Sequence, residues 1–133
     1  MSHVIIDAAE GILGRVAAFA AKQALLGNEV IVVNCNDVLI TGNKKGILEK
    51  YKSLRNKAGW SLKGPKIHRS PEKTVKRTVR GMLPHKKGRG LESLRRIRCY
   101  NAVPAEFADK EKKSLKRDLK VKAVKLSKIM ELT

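Results

Sequence analysis

The sequence is short of aromatic residues, cysteines and acidic groups, and it has no long apolar run. Five aromatic side chains in 133 residues are too few for the stacking platforms of a single-strand nucleic-acid binder. Cys35 and Cys99 are the only cysteines. Far apart in sequence, they give neither a disulfide framework nor zinc-site spacing, and they read as small buried residues of a reduced, intracellular chain. No apolar stretch approaches the roughly 18 residues of a membrane span. The opening MSHVIIDAAEG carries acidic residues and no basic flank, unlike a secretory leader.

Catalytic constellations are equally scarce. Gly42-Asn43-Lys44 lacks the first glycine and the Ser/Thr of a phosphate-binding loop. Gly11 and Gly14 do not make the dinucleotide pattern. His3, His68 and His85 are scattered without metal-ligand spacing. No pair of carboxylates or oriented histidine suggests acid–base work. The reading is a non-enzyme without cofactor, metal or small-molecule substrate.

What is abundant is positive charge. Lys and Arg number 30 against 12 Asp and Glu, a net +18. The excess is concentrated. Residues 1–43 carry a net −2, residues 44–98 a net +16, and residues 99–133 a net +4. A near-neutral first third therefore builds structure, and a cationic middle reaches for a polyanion.

The first third reads as a β-α-β unit. Val4-Ile5-Ile6 predicts a strand ending at Asp7. From Leu13, apolar residues recur at helical spacing through Val16, Ala17, Ala20 and Ala24, and Gly27-Asn28 stops the helix. Val30-Ile31-Val32-Val33 suits a strand buried on both faces of a parallel sheet. A short extended piece over Val38-Leu39-Ile40, a cap at Thr41-Gly42-Asn43 and a basic helix from Lys44 to Leu54 follow.

Ala58 to Pro71 reads as a long loop. Ser70 and Pro71 open a helix that runs to Met82. Val75, Val79 and Met82 lie on its apolar face, and Met82 and Leu83 are expected to bury against the sheet. Gly81 and Gly88 read as turn residues, Lys86 to Gly90 as a basic loop, and Ile97 to Tyr100 as the last strand. Residues 1–105 form one α/β domain on this reading, and residues 106–133 a charged helical extension.

Arg offers phosphate a planar fork, and glycine lets backbone approach it. With so few aromatics, the basic middle suits RNA read by shape and backbone. Two other readings stand beside it: a chromatin-like DNA binder and an RNA-processing factor.

The ordered motifs resemble a known family. They are Val4-Ile5-Ile6-Asp7, Leu13-Gly14-Arg15-Val16-Ala17, Thr41-Gly42-Asn43-Lys44, His68-Arg69-Ser70-Pro71 and Arg80-Gly81-Met82-Leu83-Pro84-His85-Lys86. Together they are similar to the universal large-subunit ribosomal protein family numbered thirteen, in its archaeal and eukaryotic branch. Asn101-Ala102-Val103-Pro104 stands where the bacterial branch has a His-Pro-His element.

The resemblance implies a three-layer α/β/α fold around a small, mostly parallel sheet of about four strands. It also implies a cytoplasmic, ribosome-bound protein that binds and helps fold large-subunit ribosomal RNA beside other large-subunit proteins. The expected RNA contacts are Lys44, Lys45, Lys50, Arg55, Lys63, Lys66, Arg69, Lys73, Arg77, Arg80, His85, Lys86, Lys87, Arg89, Arg95 and Arg96.

Overall fold

The computed structural model describes residues 3–57, 67–116 and 120–133. In chain order the elements are β1 (His3–Asp7), α1 (Leu13–Leu25), β2 (Glu29–Val33), β3 (Leu39–Thr41) and α2 (Lys44–Arg55). Then come α3 (Pro71–Gly81), α4 (Gly88–Arg95), β4 (Ile97–Cys99), β5 (Lys113–Ser114), β6 (Ala123–Lys125) and α5 (Leu126–Leu132). One parallel sheet has the order β4-β2-β1-β5, and β3 and β6 form a separate antiparallel ribbon.

The β-α-β unit forms as its sequence predicts. In β1 and β2, Ile5 lies opposite Ile31 and Ile6 opposite Val32. The alternation of strand side chains sends these pairs to opposite faces. Val30 to Val33 are all buried, as a two-sided strand requires. Between the strands, α1 buries Leu13, Val16, Ala17, Ala20, Ala21 and Ala24, and its small alanines let it lie close on the sheet. At its end Gly27 adopts φ +96°, a left-handed conformation that glycine takes without a Cβ clash. Asn34, at φ 60°, turns the chain after β2 and donates from Nδ2 to Asp7 Oδ1 at 2.9 Å. That carboxylate also accepts from Ala9 N, so Asp7 fastens the C-terminal ends of both central strands.

The sheet has a cover on each face, and the two covers differ in thickness. Ile6, Val30 and Val32 share a core with Val16 of α1, Val75 and Val79 of α3, and Leu126 and Ile129 of α5. Ile5, Ile31 and Val33 meet Phe107, Tyr100 and Val103. This second cover is a loop ending in the 3₁₀ turn Ala105–Phe107, in which the Tyr100 and Phe107 rings lie 5.9 Å apart.

Residues 106–133 depart from the expected helical extension, and β4 is not the last strand. Described residues of this segment add β5 to the sheet edge and β6 to β3, and among them only Leu126–Leu132 are α-helical. Leu115, Leu119, Ala123, Leu126 and Met130 have the spacing of one helical stripe; Leu119 lies outside the described residues, and the other four serve separate elements. Leu115 packs beside β5, Ala123 lies in β6, and Leu126 and Met130 enter the main core. The core thus extends well past residue 105. Lys116 reinforces β5 with an ion pair to Glu10 at 2.9 Å, and that contact holds the Glu10 carboxyl below its usual range.

Two further expectations change near α3. Met82 is 43% exposed, whereas Leu83 is buried. The helix stops at Gly81, so the inward place falls to Leu83, one residue on. Ser70 does occupy the N-cap position with Pro71 at the first helical residue, but its side chain accepts no capping bond. Ser70 Oγ donates to Glu72 Oε1 at 3.2 Å. The exposed helical donor, Glu72 N–H, is met instead by Asn101 Oδ1 at 3.0 Å. Asn101→Ala should therefore cost about 1 kcal/mol, the size of a lost cap, and lower Tm by about 4 °C. Ser70→Ala should cost less, and thermal melts of the two variants check the order.

Candidate nucleic-acid interface

The amphipathic pattern of α3 sorts its side chains. Pro71, Thr74, Val75 and Val79 are buried. At roughly 100° per residue, Lys73, Lys76, Arg77 and Arg80 fall on one arc opposite them. The buried face fixes the helix on α1 and the sheet, so the opposite face must present a ridge of cations.

The turn after α3 prolongs the ridge. Buried Leu83 anchors it, and Lys87 N–H donates to Pro84 O at 3.0 Å. His85 Nδ1 lies 3.1 Å from Arg80 O, so the imidazole also braces the turn internally. The basic loop expected over Lys86 to Gly90 is shorter than that, because Gly88, Arg89 and Gly90 already form the first turn of α4. Gly90 is where this helix touches the turn. A Cβ built there would lie 2.0 Å from Pro84 O and 2.2 Å from Pro84 C. Gly81 and Gly88 have no positive φ and nothing within 4 Å of a modest Cβ, so the turn requires glycine at neither.

Lys44, Lys45 and Lys50 stand exposed on α2, and Arg69 stands exposed just before α3. Lys73, Arg80, Lys86, Lys87, Arg89 and Arg95 are also exposed. Among the described residues, none of these ten has a carboxylate within ion-pair distance. Arg77 is half-buried on the same ridge. Lys63 and Lys66, together with Trp60, lie outside the described residues.

Arg55 and Arg96 have internal partners. Arg55 donates to Thr133 Oγ1 and, at 3.1 Å, to Met130 Sδ, tying α2 to α5. Burial, with the Arg69 guanidinium nearby, draws its pKa below the ordinary arginine value. Arg96 donates to Ala24 O at 3.0 Å, satisfying a terminal carbonyl of α1, and lies 4.0 Å from Glu92. Sequence spacing could not separate these two from the exposed cations, because their hydrogen-bond partners are 72 to 78 residues away.

The described residues hold no cluster of three or more His, Cys, Asp or Glu able to grip a metal. No described helix is long and apolar enough to cross a membrane. Cys35 and Cys99 are unlinked, but the sheet brings them together. Cys35 N–H donates to Tyr100 O at 3.1 Å. A hydrogen bond with the Cys99 thiol, together with burial, pushes the Cys35 thiol far up, so it stays protonated.

The sequence that builds these elements is similar to that of known proteins. The sequence pattern described as Ribosomal protein L13 matches residues 1–106. The chain belongs to the ribosomal protein L13 family. It is 41% identical over 128 residues to the large ribosomal subunit protein uL13 of Archaeoglobus fulgidus, covering 96% of this chain and 81% of that one. It is 42% identical over 131 residues to uL13 of Natronomonas pharaonis, covering 98% and 90%. Against uL13 of Methanocaldococcus jannaschii the identity is 42% over 115 residues, covering 84% of each. The family is one of structural ribosomal proteins, not enzymes.

Proposed function

We propose that this chain is a structural component of the large ribosomal subunit that binds large-subunit ribosomal RNA and helps it fold. The observation that carries this reading is the run of ten exposed cations without carboxylate partners, from α2 through Arg69 and α3 to α4. Family membership supplies the large subunit as the setting. The neutral β-α-β platform holds the ridge rigid, and the ridge lies along phosphates. Lys contributes point charges, and Arg contributes forks that can engage two phosphate oxygens. Each phosphate neutralised releases counterions, so affinity falls steeply with salt. Neighbouring large-subunit proteins would flank the chain on the ribosome, and nothing in this role calls for a cofactor or a small substrate.

The test is a sucrose gradient of a lysate of the protein's own cells, with and without a high-salt wash. Sedimentation with the large subunit through the wash is expected. A chain found free or on chromatin would overturn the proposal in favour of an RNA-processing or DNA-binding role. In parallel, the purified chain should prefer large-subunit ribosomal RNA to duplex DNA in direct competition.

A further inference from the structure

The lysines beyond residue 120 are not a solvated tail. β6 pairs with β3, with Thr41 opposite Ala123. Gly42 N–H then donates to Lys122 O at 2.8 Å, which pins Lys122 beside the start of α2. Three residues after β6 ends, Lys128 sits on α5. The buried residues of that helix are Leu126, Ile129 and Met130; at roughly 100° per residue, Lys128 faces away from them. The result is a groove of ≈ 390 Å³ lined by Lys44 of α2, Lys122 just before β6 and Lys128 of α5.

All three lysines are exposed. None has a carboxylate within ion-pair distance among the described residues, and no acidic residue lines the groove. Lys125, which lies between Lys122 and Lys128 in sequence, is already matched to Asp37 at 3.6 Å. The remaining three charges repel one another in the absence of an anion. The groove shares no residue with α3, α4 or the turn between them. It lacks the large apolar or aromatic anchor that the centre of a protein–protein interface requires.

We infer that Lys44, Lys122 and Lys128 form a second phosphate-binding site, which takes the sugar-phosphate backbone of RNA at the corner where α2, β6 and α5 meet. This inference rests on the RNA-binding reading above and extends it to the C-terminal segment. The site carries the cationic surface of α2 around onto residues 120–133, so the same segment that fills the core also holds RNA.

The experiment compares the full chain, a Lys122→Ala/Lys128→Ala variant and a control of equal charge loss, Lys22→Ala/Lys110→Ala, for binding to large-subunit ribosomal RNA across a salt series. The control lysines are exposed and lie outside the groove. The groove variant should bind about 10- to 30-fold more weakly near 0.1 M salt, and its log K against log salt slope should fall by about 1.5 to 2. The control should lose less than about threefold with its slope unchanged, and both should melt like the parent. Lys122 and Lys128 should also be shielded by RNA from an amine-reactive reagent. A groove variant that matches the control, with both lysines still reactive in the complex, overturns the site while leaving RNA binding standing. A parent chain that does not bind this RNA overturns both. Shielding by an acidic protein in place of RNA would also overturn the site as assigned.

Discussion

Replacing Arg80, Lys86 and Arg89 together by alanine should weaken binding to large-subunit ribosomal RNA by about 100-fold near physiological salt, with little change in the thermal melt. The three side chains are exposed and have no carboxylate partner among the described residues. They occupy the end of α3, the turn and the first turn of α4. Removing them costs no buried contact. If each neutralises one phosphate, the salt slope should fall by about 2 to 3. Surface substitutions of this kind leave stability within about 0.5 kcal/mol. Filter binding over a salt series, with a melt of the same preparation, separates the two quantities. A melt that collapses together with binding would make the segment part of the fold's support and not a contact surface.

The second large effect concerns stability. Gly90→Ala should destabilise the protein by about 3 kcal/mol, the upper part of the range for overpacking, and lower Tm by roughly 10 °C. The obstacle is backbone, since the new methyl would meet the carbonyl carbon and oxygen of Pro84. No change of rotamer can relieve it, so either α4 or the turn must move. Because that turn carries Lys86 and Lys87, RNA binding should weaken as well. Gly81→Ala and Gly88→Ala are the matched controls. A Cβ at either meets nothing within 4 Å, and alanine suits a helix better than glycine by about 0.5–1 kcal/mol. Both controls should melt at or above the parent temperature.

These two experiments divide along the line between what the sequence discloses and what it conceals. Local signals are reliable where one periodicity governs a whole element. The stripe from Leu13 to Ala24, the run Val30–Val33 and the Pro71 helix start all appear in the structure as the sequence predicts. The cationic middle was equally legible, because net charge needs no geometry to be counted. The sequence was silent where a residue answers to a distant partner. Asn101 capping α3, Arg55 gripping Met130 and Thr133, and Arg96 capping α1 are all of this kind. The C-terminal segment misled for a related reason. Apolar residues at helical spacing fit one helix on paper, yet they are divided among β5, β6 and α5. Met82 and Leu83 differ by a single position, and where α3 stops decides which of them goes inward.

The late position of α5 also sets an order of events for the growing chain. Ile6 and Val30 are made early, yet the core they enter is closed by Leu126, Ile129 and Met130. The β1–β5 pairing likewise joins Ile6 to Lys113. Contacts of such long sequence separation slow folding, because a long loop must close before they form. Between the completion of α4 and that of α5 the growing chain therefore has its central strands and its cationic ridge but an open hydrophobic face. A polyanion could bind such a half-built chain before it is sealed, and exposed apolar surface of this kind invites aggregation until then. Timing, and not only affinity, would then govern how this protein joins a polyanionic partner.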